Sequence, residues 1–222
     1  MAMIRSLTVL FGRAKNILQT EGLIPLLRCA FPFLTGYLFQ YRTYYLYEHT
    51  LKEMDEANFR PRINGIIFKV VSTNQQADEL AACGLDFRPY VMGARQKLDK
   101  GAIAFCFFAD RELAHIGWAA MNQEAQESLG GIPIRVDFAS KEAFTGGTVT
   151  IPKYRGKGLM AYSYSKRLQF LREQGITTSR NAVVMSNIAS HRALAKLSPR
   201  VYAKARYIKI MWWAFWKETP LT

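Results

Sequence analysis

The chain has 222 residues, half of them hydrophobic and 13% aromatic, with 15 Gly and 8 Pro; that composition excludes a disordered polymer and provides for one good-sized core. The net charge is +13 and unevenly placed, with 14 Lys/Arg against 2 Asp/Glu from Pro152 onward, so phosphates of any origin are attracted, whether of a cofactor, a nucleic acid or an anionic membrane, and charge alone does not choose among them. Cys29, Cys83 and Cys106, and His49, His115 and His191, are too scattered for a disulfide framework or a metal-ligand spacing, and with no cleavable leader in the sequence they point to the cytoplasm.

Residues 1–64 differ in character from the rest of the chain. The stretch from Gly22 to Phe39 is apolar and approaches the roughly 20 residues of a membrane span. Pro25, Pro32 and the central Arg28 interrupt it, which disfavours a span. The tyrosine-rich run from Gln40 to Tyr47 suits an apolar boundary. The expectation is an amphipathic helical extension that docks on protein or lies on a membrane surface, peripheral to its inner face. Asn58 to Gly65 reads as the linker to a domain over 65–222.

From Ile66 the pattern changes. Residues 66–72 predict a strand, and 74–82 a helix capped by Thr73 or Asn74. A second helix is expected over 90–98. The apolar runs 102–109 and 113–121 around Asp110, Arg111 and Glu112 read as a hairpin. A short helix over 122–129 ends at Gly130 and Gly131; a short strand is expected at 136–138, then a longer one at 143–151. Residues 160–173 form a helix, 176–185 a strand, and 187–197 a helix capped by Asn187 or Ser186. Residues 201–210 alternate as a strand, which Met211 to Trp216 either continue or extend as an aromatic tail. The order implies an α+β fold: a mixed, mostly antiparallel sheet flanked by helices.

The turn between the strand ending at Ile151 and the helix opening at Met160 holds Lys153, Arg155, Gly156, Lys157 and Gly158. Glycine allows close approach and positive φ, and a helix N-terminus presents free N–H groups and the positive end of its dipole. Together they make a seat for a phosphate or pyrophosphate. A P-loop is excluded, because Ile151 stands where its first glycine belongs and Gly158 where its Ser or Thr belongs. The dinucleotide pattern Gly156-x-Gly158-x-x-Ala161 lacks an acid over residues 175–181, and too few residues remain after it for the other alternating units.

The run Val149-Thr-Ile-Pro-Lys-Tyr-Arg155-Gly156-Lys157-Gly158-Leu159-Met160 resembles the acyl-CoA loop of the GNAT superfamily of acetyl-CoA-dependent N-acyltransferases. Asn187-Ile-Ala-Ser190, one helix and one strand later, is similar to a second family element. The resemblance covers roughly 66–210 in element order and leaves the first 64 residues outside. Met160 departs from the usual Gly or Ala. The usual acid tyrosine falls at Leu194, and the usual Gly-Phe at Ser198-Pro199. The resemblance implies that two adjacent strands splay apart, so that the pantetheine arm of acetyl-CoA, or another acyl-CoA, pairs with the free strand edge. It further implies cofactor contacts at Val149, Ile151, Arg155, Gly156, Lys157, Gly158, Leu159, Met160, Asn187 and Ser190, with an oxyanion donor among the backbone N–H groups of 149–151.

Direct transfer to an amine or hydroxyl needs a proton acceptor. Glu142, ahead of the cofactor strand, and His115 are the candidates; Tyr162, Tyr164 and Tyr202 are open as acids. The expected partner is a small-molecule or envelope-precursor acceptor, with peripheral membrane contact through residues 1–64 and self-association left open. A non-catalytic membrane-surface or partner-binding module on the same fold is the second reading. Nucleic-acid binding ranks last, because no recognition motif accompanies the charge.

Overall fold

The computed structural model describes residues 39–130 and 132–221. They fall into two compact units, one of residues 44–205 and 218–221, the other of residues 39–43 and 206–217. Among the described residues there are eight strands: β1 (Phe39–Thr50), β2 (Ile67–Val71), β3 (Ile103–Ala109), β4 (Glu112–Ala120), β5 (Glu142–Thr150), β6 (Thr178–Val184), β7 (Arg200–Ile210) and β8 (Trp213–Pro220). The helices are α1 (Asn74–Ala82), α2 (Ala94–Asp99), α3 (Gln123–Ser128), α4 (Leu159–Glu173) and α5 (Ile188–Ala195). The sheet order is β2-β3-β4-β5-β6-β1-β7-β8. The β5–β6 pair is parallel, and β2–β3, β3–β4, β4–β5 and β1–β6 are antiparallel. This is the mixed, mostly antiparallel α+β sheet expected from the element order.

The centre of the larger unit is the β3–β4 hairpin. Every residue of β3 is buried, as its unbroken apolar run requires of a strand covered on both faces. Asp110 and Arg111 turn the chain with φ of 51° and 65°, the mirror-image geometry whose twist suits a two-residue hairpin. On one face Leu159 and Leu171 of α4 join Ile103, Phe105, Phe107, Ala119 and Ala143 in a single apolar cluster. Thr73 and Asn187 cap α1 and α5 as the sequence leads one to expect, and Asn122, expected inside its helix, caps α3; each accepts a backbone N–H in the first turn.

Four expectations are corrected. Residues 39–50, which the sequence assigns to a helical extension, are a strand that pairs with β6 from Tyr44↔Val184 to Thr50↔Thr178. The alternation explains it: Tyr45 and Tyr47 join Tyr164 and Leu194 on the α4–α5 face, while Tyr44 and Leu46 are buried on the other. Further along the same stretch, Glu56 accepts from Tyr162 Oη at 2.8 Å and from Lys166. The helix expected over 90–98 shrinks to Ala94–Asp99, because Gly93 adopts φ 68° and Pro89 starts a separate single turn. Residues 136–138 form no strand; Glu142 instead accepts from the Asp137 N–H. Finally, Met211 and Trp212 are the turn of a β7–β8 hairpin, not a strand continuation or a tail. The part of the extension over residues 1–38 lies outside the described residues. No described helix is long and apolar enough to cross a membrane.

Candidate functional site

The site is made by a strand pair that separates and a helix that starts beside the gap. β5 and β6 share only three register positions, Glu142↔Thr178, Ala143↔Ser179 and Phe144↔Arg180. Beyond Phe144 the other edge of β5 stays paired with β4 through to His115↔Thr150. The cause is local. Gly146 and Gly147 come next, Gly147 has φ 57°, and the β4–β5 register shifts between Ile116 and Trp118. Such a bulge bends a strand away from its neighbour. The edge of β5 that faces β6 is therefore without a ladder from Thr145 onward.

At the open end, Ile151 donates to Ala114 O at 3.0 Å and Pro152–Tyr154 forms a single 3-10 turn. Gly156 and Gly158 come after it with φ of 74° and 86°, a region that favours glycine. A Cβ at Gly156 would meet nothing within 4 Å, so this corner is open. α4 starts on Gly158 without a side-chain cap, and its first backbone bond is Tyr162 N–H to Gly158 O at 3.2 Å. The amides of Leu159, Met160 and Ala161 precede that bond, in the turn where helical N–H groups have no intrahelical acceptor.

A cleft of about 670 Å³ runs from this corner to α5. Val149, Arg155, Gly156, Gly158, Leu159, Met160, Asn187 and Ser190, all expected from the sequence, line it. So do Thr148, Arg192 and Lys196, which sequence reasoning alone misses. Ala189 and Ala193 on α5 and Lys196 just past its end recur at helical spacing, and that stripe is the available signal. Arg155, Arg192 and Lys196 give the cleft positive charge, and its lining holds no Asp or Glu. Asn187 spends its carbonyl oxygen on the Ser190 N–H at 3.1 Å. Asn187→Ala is expected to cost about 1 kcal/mol of stability through the lost cap, measured by denaturant unfolding.

Other expected residues stand elsewhere. Ile151 packs against the core, and the Lys157 ammonium lies 5.6 Å above the Tyr154 ring. Glu142 lies at the paired end of β5, where Arg180 donates to one oxygen at 2.7 Å and the Asp137 N–H to the other at 2.8 Å. His115 is fully buried on β4; its Nδ1 is 2.8 Å from Thr150 Oγ1 and its Nε2 has no partner. Burial, and then the charge of Arg167, push its pKa down to about 3. Of the tyrosines, Tyr162 donates to Glu56, and burial pushes its pKa up to about 12, with Glu56 adding to the shift. Tyr164 accepts from Asn181 Nδ2 at 2.6 Å, and Tyr202 stacks beneath Arg180 at 4.8 Å. None of the three lines the cleft. Burial raises the pKa of the Cys106 thiol, which leaves it inert as a nucleophile. Among the described residues no group of His, Cys, Asp and Glu is placed to hold a metal ion.

A parted strand pair thus faces a glycine turn and an uncapped helix start. Residues 75–198 match the model of the Acetyltransferase (GNAT) family, and the chain belongs to that family. No curated protein matches it. Among solved structures it is similar to a GCN5-related N-acetyltransferase from Sphaerobacter thermophilus, at 12% identity and TM-score 0.50 over 86% of this chain and 56% of that one. It is also similar to the GCN5-related glucosamine N-acetyltransferase region of a fungal multi-domain GH3 beta-N-acetylglucosaminidase, at 11% identity and TM-score 0.52 over 85% of this chain and 23% of that one. A third is an acetyltransferase of the GNAT family from Colwellia psychrerythraea, at 15% identity and TM-score 0.48 over 77% and 55%. At these identities the likeness is one of fold. The chain spans between 23% and 66% of the length of these three and of five other solved structures similar to it.

Proposed function

We propose that the protein transfers an acetyl group from acetyl-CoA to an amine. The observation that carries this reading is the early end of the β5–β6 ladder beside an uncapped helix start. Acetyl-CoA, when bound, supplies the activated thioester. The residues present fit it. The amides of 159–161 suit a pyrophosphate, Arg155, Arg192 and Lys196 add charge, and the bare edge of β5 from Thr145 suits the amides of a pantetheine arm. Asn187 and Ser190 wall the arm from α5.

Transfer would form a C–N bond at the thioester carbonyl and break its C–S bond, with the proton shed by the nitrogen passing to the departing thiolate or to solvent. A backbone N–H of 149 or 150 would hold the carbonyl oxygen as charge develops there, since the Ile151 N–H already donates to Ala114 O. In this reading Glu142 is not the base, because both its oxygens are already engaged. His115, with its conjugate acid near 3, accepts protons weakly at neutral pH. The amine is therefore deprotonated by solvent at the cleft mouth, and kcat/KM is expected to rise with pH up to the amine's own pKa. A profile that levels off well below that pKa would show that a protein base acts instead.

The reading is tested by calorimetric titration of the full chain with acetyl-CoA, then by mass analysis of products from a panel of small amines and alcohols. Absence of acetyl-CoA binding removes the proposal. O-acetyl products alone would move the acceptor from amine to hydroxyl.

A further inference from the structure

The smaller unit carries a feature unrelated to acyl transfer. Its described residues are 39–43 and 206–217. They include four cations, Arg42, Arg206, Lys209 and Lys217, and no acid. The β7–β8 hairpin turns at Met211 and Trp212, and Met211 stands at φ 55°. Turns with positive φ select Gly, Asn or Asp, and a bulky residue there is strained. Here the turn is Met-Trp, with another Trp directly after it.

The exposure pattern tells what surrounds this tip. Trp212, Trp213 and Phe215 are 74%, 63% and 53% exposed, and Met211 and Ala214 between and beside them are exposed as well. Successive strand side chains point to opposite faces, so five consecutive exposed residues mean that both faces of the tip are bare. A protein partner docked on a sheet covers one face; a lipid headgroup layer surrounds a projecting tip on all sides. Trp, with an apolar body and one N–H, is the residue suited to that layer. Phe39 and Tyr41, each more than half exposed, extend the aromatic surface of the same unit.

We propose that the Met211–Phe215 tip inserts into the headgroup region of an anionic lipid bilayer, with Arg206, Lys209 and Lys217 drawn to the lipid phosphates. Cations near an anionic leaflet and aromatic insertion reinforce one another. This puts a membrane contact on the C-terminal hairpin, apart from the one expected of residues 1–64, and it does not depend on the acyltransferase reading.

The test is flotation of the full chain with vesicles of phosphatidylcholine and of a phosphatidylcholine–phosphatidylglycerol mixture, beside the triple variant Trp212→Ser, Trp213→Ser, Phe215→Ser. An unchanged thermal melt of the variant shows that it folds. The parent is expected to partition into the anionic vesicles at least about tenfold better than into the neutral ones, with a blue-shifted Trp emission, and the variant to lose about tenfold or more. Arg206→Gln with Lys217→Gln should lower binding to anionic vesicles and leave any residual binding to neutral ones unchanged. A triple variant that floats like the parent overturns the proposal, and so does a parent indifferent to lipid charge. A parent that fails to float but self-associates through a tip-dependent contact would show that a second copy covers the hairpin, which also overturns it.

Discussion

Gly158→Glu is expected to weaken acetyl-CoA binding by about 100-fold or more, while Gly158→Ala costs about fivefold. Both substitutions meet the same backbone problem, since φ is 86° and a side chain in the left-handed region costs on the order of 1 kcal/mol. Neither is blocked by space at Cβ, whose nearest contact would be Pro61 Cα at 3.6 Å. What separates them is charge. A carboxylate at the start of α4 would neutralise the field that a pyrophosphate seeks and compete for the amides of 159–161. A further loss of on the order of 2 kcal/mol is then expected from like-charge repulsion in a cleft whose lining holds no other acid. Calorimetry on parent, Ala and Glu variants reads the difference directly. If the Glu variant binds like the Ala variant, the ligand's phosphates do not sit at this helix start.

The parts of this site visible in the sequence are those fixed by local chemistry. Gly156 and Gly158 announce a turn with positive φ, the apolar run before them a strand, and Asn187 a cap, because each signal is carried by residues adjacent in the chain. The separation of β5 from β6 is foreshadowed by Gly146 and Gly147, although only the register shows where pairing stops. The β1 strand is hidden for the opposite reason. Tyr44 to Tyr47 satisfy a membrane boundary as well as a strand, and what decides between them is pairing with residues some 130 positions later, Tyr47 against Asn181. Glu142 has the look of a base because it precedes the cofactor strand, but strand polarity puts it at the closed end. In the sequence Arg167 is one more cation of a basic helix. It is fully buried, with its guanidinium 3.9 Å from the Tyr164 ring and donating to Ser163 O and Trp118 O. Helical periodicity alone could not reveal this, since Leu168 and Leu171 define the same face.

Burial makes the fold acid-sensitive, and that cation adds to the effect. His49 is almost completely buried, stacks on Tyr164 at 6.0 Å between centroids, and has no partner on either ring nitrogen. Burial, and then Arg167, push its pKa down to about 4; the same two causes hold His115 at about 3. An unfolded histidine titrates near 6.5. Below pH 6.5 the unfolded chain therefore takes up protons that the fold refuses, and stability falls as pH drops. The fall flattens only once pH passes the folded values, near 4 and then 3. At pH 4 the two histidines together remove on the order of 5 kcal/mol, comparable with the whole stability of an ordinary domain. Thermal melts across this range should show a steep loss below pH 6. His49→Leu removes a buried polar ring that makes no hydrogen bond, so it should be near neutral or stabilising at pH 7. It also removes one linked proton, so the slope of stability against pH between about 6 and 4.5 should be shallower by about 1.4 kcal/mol per pH unit. If parent and variant lose stability in parallel, His49 is protonated within the fold, and Arg167 does not set its charge.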